Sequence, residues 1–146
     1  MSALTHTKHN VSTREIEMYI EASNAGISPP IVSLTPNSIQ SVEFTPLLNI
    51  PIKERKQYCE QLMSLMQQLH ELGIFHCDVT EENMVVDIAS GRCYIIDFGL
   101  SRYMKNYLMN DTMIQELKQI EYDELKFICG ISHHSPDLGV LDSISK

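Results

Sequence analysis

Two short loops in the middle of the chain carry side chains that suit metal-assisted phosphoryl transfer. Residues 76–83 contain Asp78 and, five residues on, Asn83, and a second loop reads Asp97-Phe98-Gly99. Phosphoryl transfer needs a base at the attacking hydroxyl and metal ions held against the phosphates, and carboxylate and amide oxygens meet both needs. The spacing lets Asp78 and Asn83 point into one site. Gly99 permits the backbone geometry that brings Asp97 back beside Asn83 to share magnesium.

Helices and hairpins predicted on either side of these loops would position them. Three segments have apolar residues at helical spacing, and two pairs of short β-rich runs are joined by turn residues. The helices are predicted at 14–25, 52–72 and 111–128, and the hairpin strands at 31–34 with 39–44 and at 84–87 with 93–96. The first loop then follows the second helix, and Asp97 follows the second hairpin.

The order and spacing of these motifs resemble the catalytic and metal-binding loops of protein kinases. Those loops read His-x-Asp-x-x-x-x-Asn, then a hairpin, then Asp-Phe-Gly, and the chain has each part in register. The resemblance implies that Asp78 is the catalytic base and that Asn83 and Asp97 bind the Mg²⁺ of ATP. It also implies that His76 braces the catalytic loop and that Gly99 belongs to the cofactor-binding segment.

The residues within these motifs are similar to those of one branch of kinases. Cys77 stands where most kinases have Arg, and Val79-Thr80 stands where they have Leu-Lys. Together with Asn83-Met84 and the segment 96–101, these residues look like the small KEOPS-associated kinases and their RIO-type relatives. Without the usual Arg there is no obvious partner for a phosphorylated activation loop.

Most of the nucleotide-binding part of a kinase is missing from the sequence. Upstream of the first helix there is neither Gly-x-Gly-x-x-Gly nor Val-Ala-Ile-Lys. Glu15 is the candidate for pairing with a nucleotide-binding lysine and Glu17 is the fallback, although both fit a solvated helix surface equally well. Lys8 lies upstream, but the six residues between Lys8 and Glu15 are too few for a comfortable strand, turn and helix start. We therefore do not expect Lys8 to bind nucleotide.

One acidic residue and one basic patch are predicted to be exposed to solvent. Asp123 matches weakly the aspartate that braces the catalytic loop in many kinases, and an exposed helix carboxylate is the favoured interpretation. Lys53, Arg55 and Lys56 lie near the start of the second predicted helix, where such residues usually form a solvated face. We assign this basic patch no role.

The sequence and its resemblance predict an α+β, protein-kinase-like fold with a mostly helical C-lobe. The N-lobe would be reduced to one helix and a short β-hairpin, with the glycine-rich loop strands absent. A chain of 146 residues, 43% of them hydrophobic, is enough for a single domain with one core. The expected divisions are a flexible tail at 1–12, the reduced N-lobe at 13–50, the C-lobe core at 51–130 and a C-terminal tail at 131–146.

The resemblance leaves two functions open. The first is an ATP- and Mg²⁺-dependent phosphotransferase of the protein kinase type that acts on Ser/Thr of a protein substrate, with a second chain completing the N-lobe. The intact Asp78, Asn83 and Asp97 favour this function. The alternative is a catalytically weak or inactive kinase-like module that regulates a partner kinase by mimicking its C-lobe. The missing lysine and glycine loop favour the alternative.

Composition bears on which ligands the chain binds and in which compartment it is found. A formal net charge of −8 disfavours general nucleic-acid binding. No run of about 18 apolar residues occurs, so no membrane-spanning segment is predicted. The four cysteines lie far apart without a Cys-x-x-Cys pair, which indicates reduced thiols rather than disulfides or a zinc site. We expect a cytoplasmic protein, in the host cytoplasm if it is viral.

Overall fold

The computed structural model describes residues 4–106 and 110–131, and three helices are the longest elements within them. These helices are α1 (Thr13–Asn24), α2 (Ile52–Glu71) and α3 (Asp111–Ile128). The Ser12 hydroxyl caps α1 by accepting a hydrogen bond from the Glu15 amide at 3.1 Å. Asn110 caps α3 by accepting one from the Met113 amide at 2.9 Å. The predicted helix boundaries are confirmed to within one residue.

An antiparallel sheet of three strands forms the upper part of the molecule. Its strands are β1 (Thr5–His9), β2 (Ile31–Thr35) and β3 (Ser38–Val42), in the order β1-β3-β2. The β2–β3 hairpin lies where the sequence predicts it. Strand β1 pairs with the other side of β3, from Thr5 opposite Val42 to His9 opposite Ser38.

Strand β1 lies inside the segment 1–12, which the sequence assigned to a flexible tail, and that assignment was wrong for residues 5–9. The chain reverses sharply at Asn10, whose φ of 58° lies in the left-handed region that Asn tolerates better than most residues. The Val11 amide then donates to the Asn37 carbonyl at 2.9 Å, which ties the turn to the β2–β3 hairpin. One left-handed residue therefore lets a strand run almost directly into α1, and the upper part has a third strand beside the predicted hairpin.

The lower part of the molecule holds the two predicted loops between short strands. These strands are β4 (Thr45–Pro46), β5 (Ile74–Phe75), β6 (Met84–Asp87), β7 (Arg92–Ile95) and β8 (Arg102–Tyr103). One sheet has the order β4-β6-β7, and β5 pairs with β8. Short 3-10 turns lie at Leu47–Asn49 and Met104–Asn106. The β6–β7 hairpin returns the chain from the first loop, so that Asp97 comes back beside it.

Apolar side chains from all three helices form a core around α2. Its fully buried members include Met18, Ile27, Leu47, Leu62, Met66, Leu69, Ile95, Phe98 and Leu125. Burying a side chain of this size stabilises the fold by about 1.5–3 kcal/mol. Phe98 belongs to the Asp-Phe-Gly loop, so the core itself anchors that loop. Within the described ranges, no helix is both long and apolar enough to cross a lipid bilayer.

Arg55 departs from the solvated basic face that the sequence predicted at the start of α2. Lys53 and Lys56 are exposed as expected, but Arg55 is only 5% exposed. Its Nε atom donates to the Ile50 carbonyl at 2.8 Å and its Nη1 atom to the Ile128 carbonyl at 3.1 Å. The assignment of Arg55 to solvent was wrong because the end of α3 folds back over this face of α2. The predicted C-terminal tail at 131–146 lies outside the described residues except for its first residue.

Candidate functional site

A cleft of about 330 Å³ lies between the upper sheet and the two loops below it. It is lined from above by β1, β3 and α1, and from below by the residues around β6 and β7. Its lining residues include Lys8, Glu15, Tyr19, Ile39, Ser41, Glu82, Asn83, Val85, Ile96 and Asp97. A more open hollow of about 650 Å³ between α2 and α3 contains none of the predicted site residues. We therefore take the smaller cleft as the candidate site.

Lys8 joins the upper and lower walls of the cleft. Its Nζ atom lies 2.6 Å from Glu15 Oε2 and 3.0 Å from Asp97 Oδ1. Burial favours the neutral amine, but the hydrogen bonds and charges of both carboxylates outweigh that effect and raise the pKa of Lys8 above its ordinary value of 10.5. A charged amine is thus held at a defined point between α1 and the second loop.

The sequence-based expectation that Lys8 lies outside the site was wrong. Position 8 falls on the face of β1 that looks into the cleft, as do Ile39 and Ser41 of the neighbouring strand. Glu15, rather than the fallback Glu17, is the helix carboxylate that meets it. The alternation of Thr and basic residues through β1 was the available signal, but it is weak in a five-residue strand that has no apolar side.

Asp97 is held in an unusual backbone conformation with its carboxylate in the cleft. Its φ is 66°, and its Oδ1 atom accepts hydrogen bonds from Lys8 and from the Gly99 amide at 3.1 Å. Burial opposes ionisation of Asp97, but these hydrogen bonds prevail and lower its pKa below the ordinary value of 3.8. Non-glycine residues with positive φ are strained and recur at functional sites.

Gly99 is needed for space rather than for backbone freedom. The left-handed residue of this loop is Asp97, and Gly99 has no positive φ of its own. A Cβ atom at Gly99 would lie 3.2 Å from Asp97 Oδ1 and 3.5 Å from Lys8 Nζ. A side chain there would therefore press on the Asp97 carboxylate, and the expected role of Gly99 in freeing the backbone was wrong.

Asp78 and Asn83 close the first loop into a ring. Asn83 Nδ2 donates to the Asp78 main-chain carbonyl at 2.9 Å and to Asp78 Oδ2 at 3.0 Å. Asn83 lines the cleft together with Asp97, whereas Asp78 is not among its lining residues and is connected to it through Asn83. The two residues that the spacing predicted to share one loop are therefore in direct contact.

His76 is buried in the core and holds the start of the first loop. It is fully buried, its Nδ1 atom accepts a hydrogen bond from the Asp78 amide at 3.2 Å, and its Nε2 atom bonds to the Ile96 carbonyl at 2.8 Å. Its ring also packs edge-on against Phe98 at 5.5 Å, and Phe98 in turn packs against Tyr19 of α1 at 6.0 Å. The imidazole thus links both loops to each other, and Phe98 extends that link to α1.

Glu121 supports the site, although no sequence pattern predicted this role. It is fully buried in α3, and its carboxylate accepts hydrogen bonds from the amides of His76 at 3.0 Å and Cys77 at 2.8 Å. Burial raises its pKa, but the contact with His70 at 2.8 Å outweighs burial and leaves the pKa of Glu121 below 4.5.

Asp123, the weak sequence candidate for bracing the loop, is exposed and accepts a bond from Gln119 instead. The favoured interpretation of Asp123 as an exposed helix carboxylate was therefore correct. The bracing position is two residues earlier and holds Glu rather than Asp, so a search of the sequence for an aspartate could not find it.

The donors in the cleft fit a magnesium-bound nucleoside triphosphate. Asp97 offers a carboxylate with a lowered pKa, and the Asn83 side chain offers an amide beside it. No three His, Cys, Asp or Glu side chains converge into a metal site within the described part of the chain. Mg²⁺ commonly uses one or two protein ligands and takes the rest from phosphates and water. The apolar side chains of Ile39, Val85 and Ile96 offer the surface that a nucleotide base needs.

The sequence matches the model of one protein family, described as the protein kinase domain, over residues 6–119. The KEOPS complex subunit Bud32 of Pyrococcus abyssi (strain GE5 / Orsay) is 32% identical over 99 residues, covering 62% of this chain and 44% of that protein. Serine/threonine-protein kinase 1 of African swine fever virus (isolate Pig/Kenya/KEN-50/1950) is 30% identical over 69 residues, covering 47% of this chain and 23% of that protein. The chain therefore spans less than half the length of either relative.

A solved structure has a related fold. The Cydia pomonella Granulovirus kinase PK-1 superposes with a TM-score of 0.57 and 15% sequence identity, over 84% of this chain and 59% of that one. At this identity the likeness concerns the fold alone, and it confirms the predicted kinase-like α+β architecture. The Bud32 match confirms the resemblance to KEOPS-associated kinases that the loop residues indicated.

Proposed function

The chain belongs to the protein kinase family, and we propose that it is an ATP- and Mg²⁺-dependent phosphotransferase that acts on Ser or Thr of a protein. One observation carries this proposal: Lys8 Nζ lies within hydrogen-bonding distance of both Glu15 and Asp97. Protein kinases require an ion pair between a strand lysine and a helix glutamate together with a metal-binding aspartate, and Lys8, Glu15 and Asp97 supply these three groups. These 146 residues hold the three groups together although they contain no Gly-x-Gly-x-x-Gly motif.

Each side chain then has a defined task in the proposed reaction. Bound Mg²⁺-ATP would supply the phosphoryl group together with neutralisation of its charge. Lys8, oriented by Glu15, would contact the phosphates, and Asp97 and Asn83 would hold the metal. The γ-phosphoryl group would pass to the oxygen of the Ser or Thr hydroxyl, Asp78 would take the proton of that hydroxyl, and ADP would leave.

The supporting residues hold these groups in place. The Asn83 side chain fixes the Asp78 carboxylate, so the position of the base and that of the metal ligand are coupled. The His76 and Glu121 bonds to the first loop keep both groups in register with α3.

Transfer of labelled phosphate from γ-labelled ATP to a library of Ser/Thr peptides tests the proposal. We expect Mg²⁺-dependent incorporation that Asp78→Asn lowers about a hundredfold or more, the range for loss of a general base. Asp123→Asn is the matched control, because Asp123 is an exposed acid on α3. Incorporation that persists unchanged in Asp78→Asn would contradict the assignment of the base.

The second candidate function is a kinase-derived binding module. The chain has no Gly-x-Gly-x-x-Gly motif, and β1 pairs with β3 on one side only among the described residues. Such a module would bind a partner kinase through a C-lobe-like surface and would transfer no phosphate. Tight binding to a kinase together with no labelled product under any of the tested conditions would favour this function over the first.

The open edge of β1 also supports a proposal about partners. An edge strand presents unpaired amides and carbonyls that a further strand can use, and here that edge borders Lys8. We propose that strands from a second chain, or from a further part of a longer chain, pair with β1 and cover the phosphates. The name of the Pyrococcus relative describes a subunit of a complex. We also propose a cytoplasmic location, since none of the four cysteines forms a disulfide.

A further inference from the structure

Arg55 is a buried charge whose contacts converge from three separate parts of the chain. Its Nε atom donates to the Ile50 carbonyl just before α2, and its Nη1 atom donates to the Ile128 carbonyl at the end of α3. The same Nη1 atom lies 3.0 Å from Glu81 Oε2. A guanidinium that is 5% exposed needs such partners, because an uncompensated buried charge is strongly destabilising.

Glu81 lies in the first loop, between Asp78 and Asn83. Its side chain is 40% exposed and reaches inward to Arg55, while its main-chain carbonyl accepts a hydrogen bond from the Leu48 amide at 3.1 Å. Both of these contacts hold the middle of the loop against the body of the protein. The ends of the loop are fixed separately, by His76 at one side and by the Asn83 amide, which donates to the Thr80 carbonyl at 3.1 Å, at the other.

We propose that Arg55 is a positioning residue that sets the orientation of the catalytic loop through Glu81. Arg55 lies outside the cleft, so its effect on the reaction would pass through the loop. Asn83 Nδ2 donates a hydrogen bond to Asp78 Oδ2. A shift of the loop at Glu81 would therefore move the proposed base, Asp78, and the proposed metal ligand, Asn83, together. The contact with Ile128 makes the position of the loop depend on the docking of α3 as well.

The catalytic part of this inference rests on the proposed phosphotransferase function, and its structural part does not. Glu81→Gln removes the charge but keeps the shape, and Arg55 still donates to the Ile50 and Ile128 carbonyls, so we expect the protein to remain folded. Glu54→Gln is the matched control, since Glu54 is an exposed acid in the first turn of α2. Arg55→Lys keeps a positive charge but loses the forked donors, and it serves as the second variant.

Amide hydrogen exchange measured by NMR tests the structural part. The Leu48 and Asn83 amides are the reporters, because each makes its hydrogen bond to the main chain of the loop at Glu81 or Thr80. We expect both to exchange about tenfold faster or more in Glu81→Gln, with amides of α2 unchanged and Glu54→Gln like the wild type. Wild-type exchange at both reporters in Glu81→Gln would overturn the proposal, whether or not the protein transfers phosphate.

Steady-state kinetics test the catalytic part. If the loop is misplaced, kcat should fall ten- to a hundredfold, roughly the cost of displacing a catalytic group by 1 Å, while KM for ATP stays within about twofold. The kcat of Arg55→Lys should lie between that of the wild type and that of Glu81→Gln. Faster exchange with unchanged kcat would overturn the catalytic role of Arg55. A wild-type protein that binds ATP without turnover would overturn the proposed function instead, and the exchange data would still decide the structural part.

Discussion

Lys8 Nζ lies 2.6 Å from Glu15 Oε2, although only six residues separate the two in the chain. Within that short segment the chain reverses direction at Asn10, and this reversal places the last residues of β1 above the first turn of α1. The pair is therefore local in sequence, yet it lines a cleft whose lower wall comes from positions 82–97. Its proximity to Asp97 makes it the point at which the upper and lower parts of the site meet.

Replacing Lys8 with Met should weaken nucleotide binding without unfolding the protein. The side chain is 40% exposed, so its removal costs little stability, but the phosphates would lose their amine. We expect the affinity for Mg²⁺-ATP, measured by calorimetry, to fall about tenfold or more, or ~1.4 kcal/mol. Lys53→Met is the control, because Lys53 is exposed on α2. Equal affinities in the two variants would remove Lys8 from the site.

The same Lys8→Met variant should raise the pKa of Asp97. Hydrogen bonding and charge from Lys8 hold the pKa of Asp97 below 3.8 against the opposing effect of burial. Without Lys8, burial remains and the carboxylate should titrate at higher pH. Carbon-detected NMR of the Asp97 carboxyl group measures this directly, and an unchanged titration would mean that the Lys8 contact does not persist in solution.

Replacing Gly99 with Ala should impair the metal site more than the fold. The new Cβ would lie 3.2 Å from Asp97 Oδ1, so the carboxylate must shift by a few tenths of an ångström, whereas the 3.5 Å to Lys8 Nζ is an ordinary contact. We expect the Mg²⁺ concentration needed for half-maximal ATP binding to rise several-fold, with a loss of stability of about 1 kcal/mol. A wild-type Mg²⁺ requirement would show that the Asp97 carboxylate has more room than its contacts indicate.

Glu121→Gln should destabilise the protein strongly, since the carboxylate is fully buried with His70 and two loop amides. A Gln side chain has only one acceptor oxygen for these three partners, and leaving a buried donor unpaired costs about 1–3 kcal/mol, which urea unfolding can measure. Asp123→Asn, an exposed acid on the same helix, should change stability by less than about 0.5 kcal/mol. Similar losses in the two variants would contradict the bracing role of Glu121.

The free energy of unfolding should depend on pH in part through the ionisation of Glu121. Its pKa is lower in the folded protein than its ordinary value of 4.5, so the folded state binds fewer protons at this group than the unfolded chain. The resulting stabilisation is fully present above pH 4.5 and is lost as the pH falls through the lower, folded pKa. In the Glu121→Gln variant this component of the acid-dependent loss should disappear.

Apolar residues at helical spacing were enough to predict α1, α2 and α3, and short β-rich runs joined by turn residues were enough to predict both hairpins. The loops carrying Asp78, Asn83 and Asp97 were likewise found from types and spacing. The roles of three residues could not be predicted, because each depends on contacts that a local sequence pattern does not show. Lys8 depends on one left-handed Asn. Arg55 and Glu121 are charged residues on amphipathic helices, and, apart from the Ile50 carbonyl that accepts from Arg55, the partners named for them lie 26 to 73 positions away.

The most direct test of the central claim is the thermal shift of the purified protein with ATP, with and without Mg²⁺. A ligand at a hundred times its dissociation constant adds about 2.7 kcal/mol to stability, so a clear rise in Tm is predicted only when both are present. Asp97→Asn should abolish that rise while leaving the Tm of the unliganded protein nearly unchanged. No Mg²⁺-dependent rise in the wild type, or an equal rise in Asp97→Asn, would contradict a kinase site built on Lys8, Glu15 and Asp97.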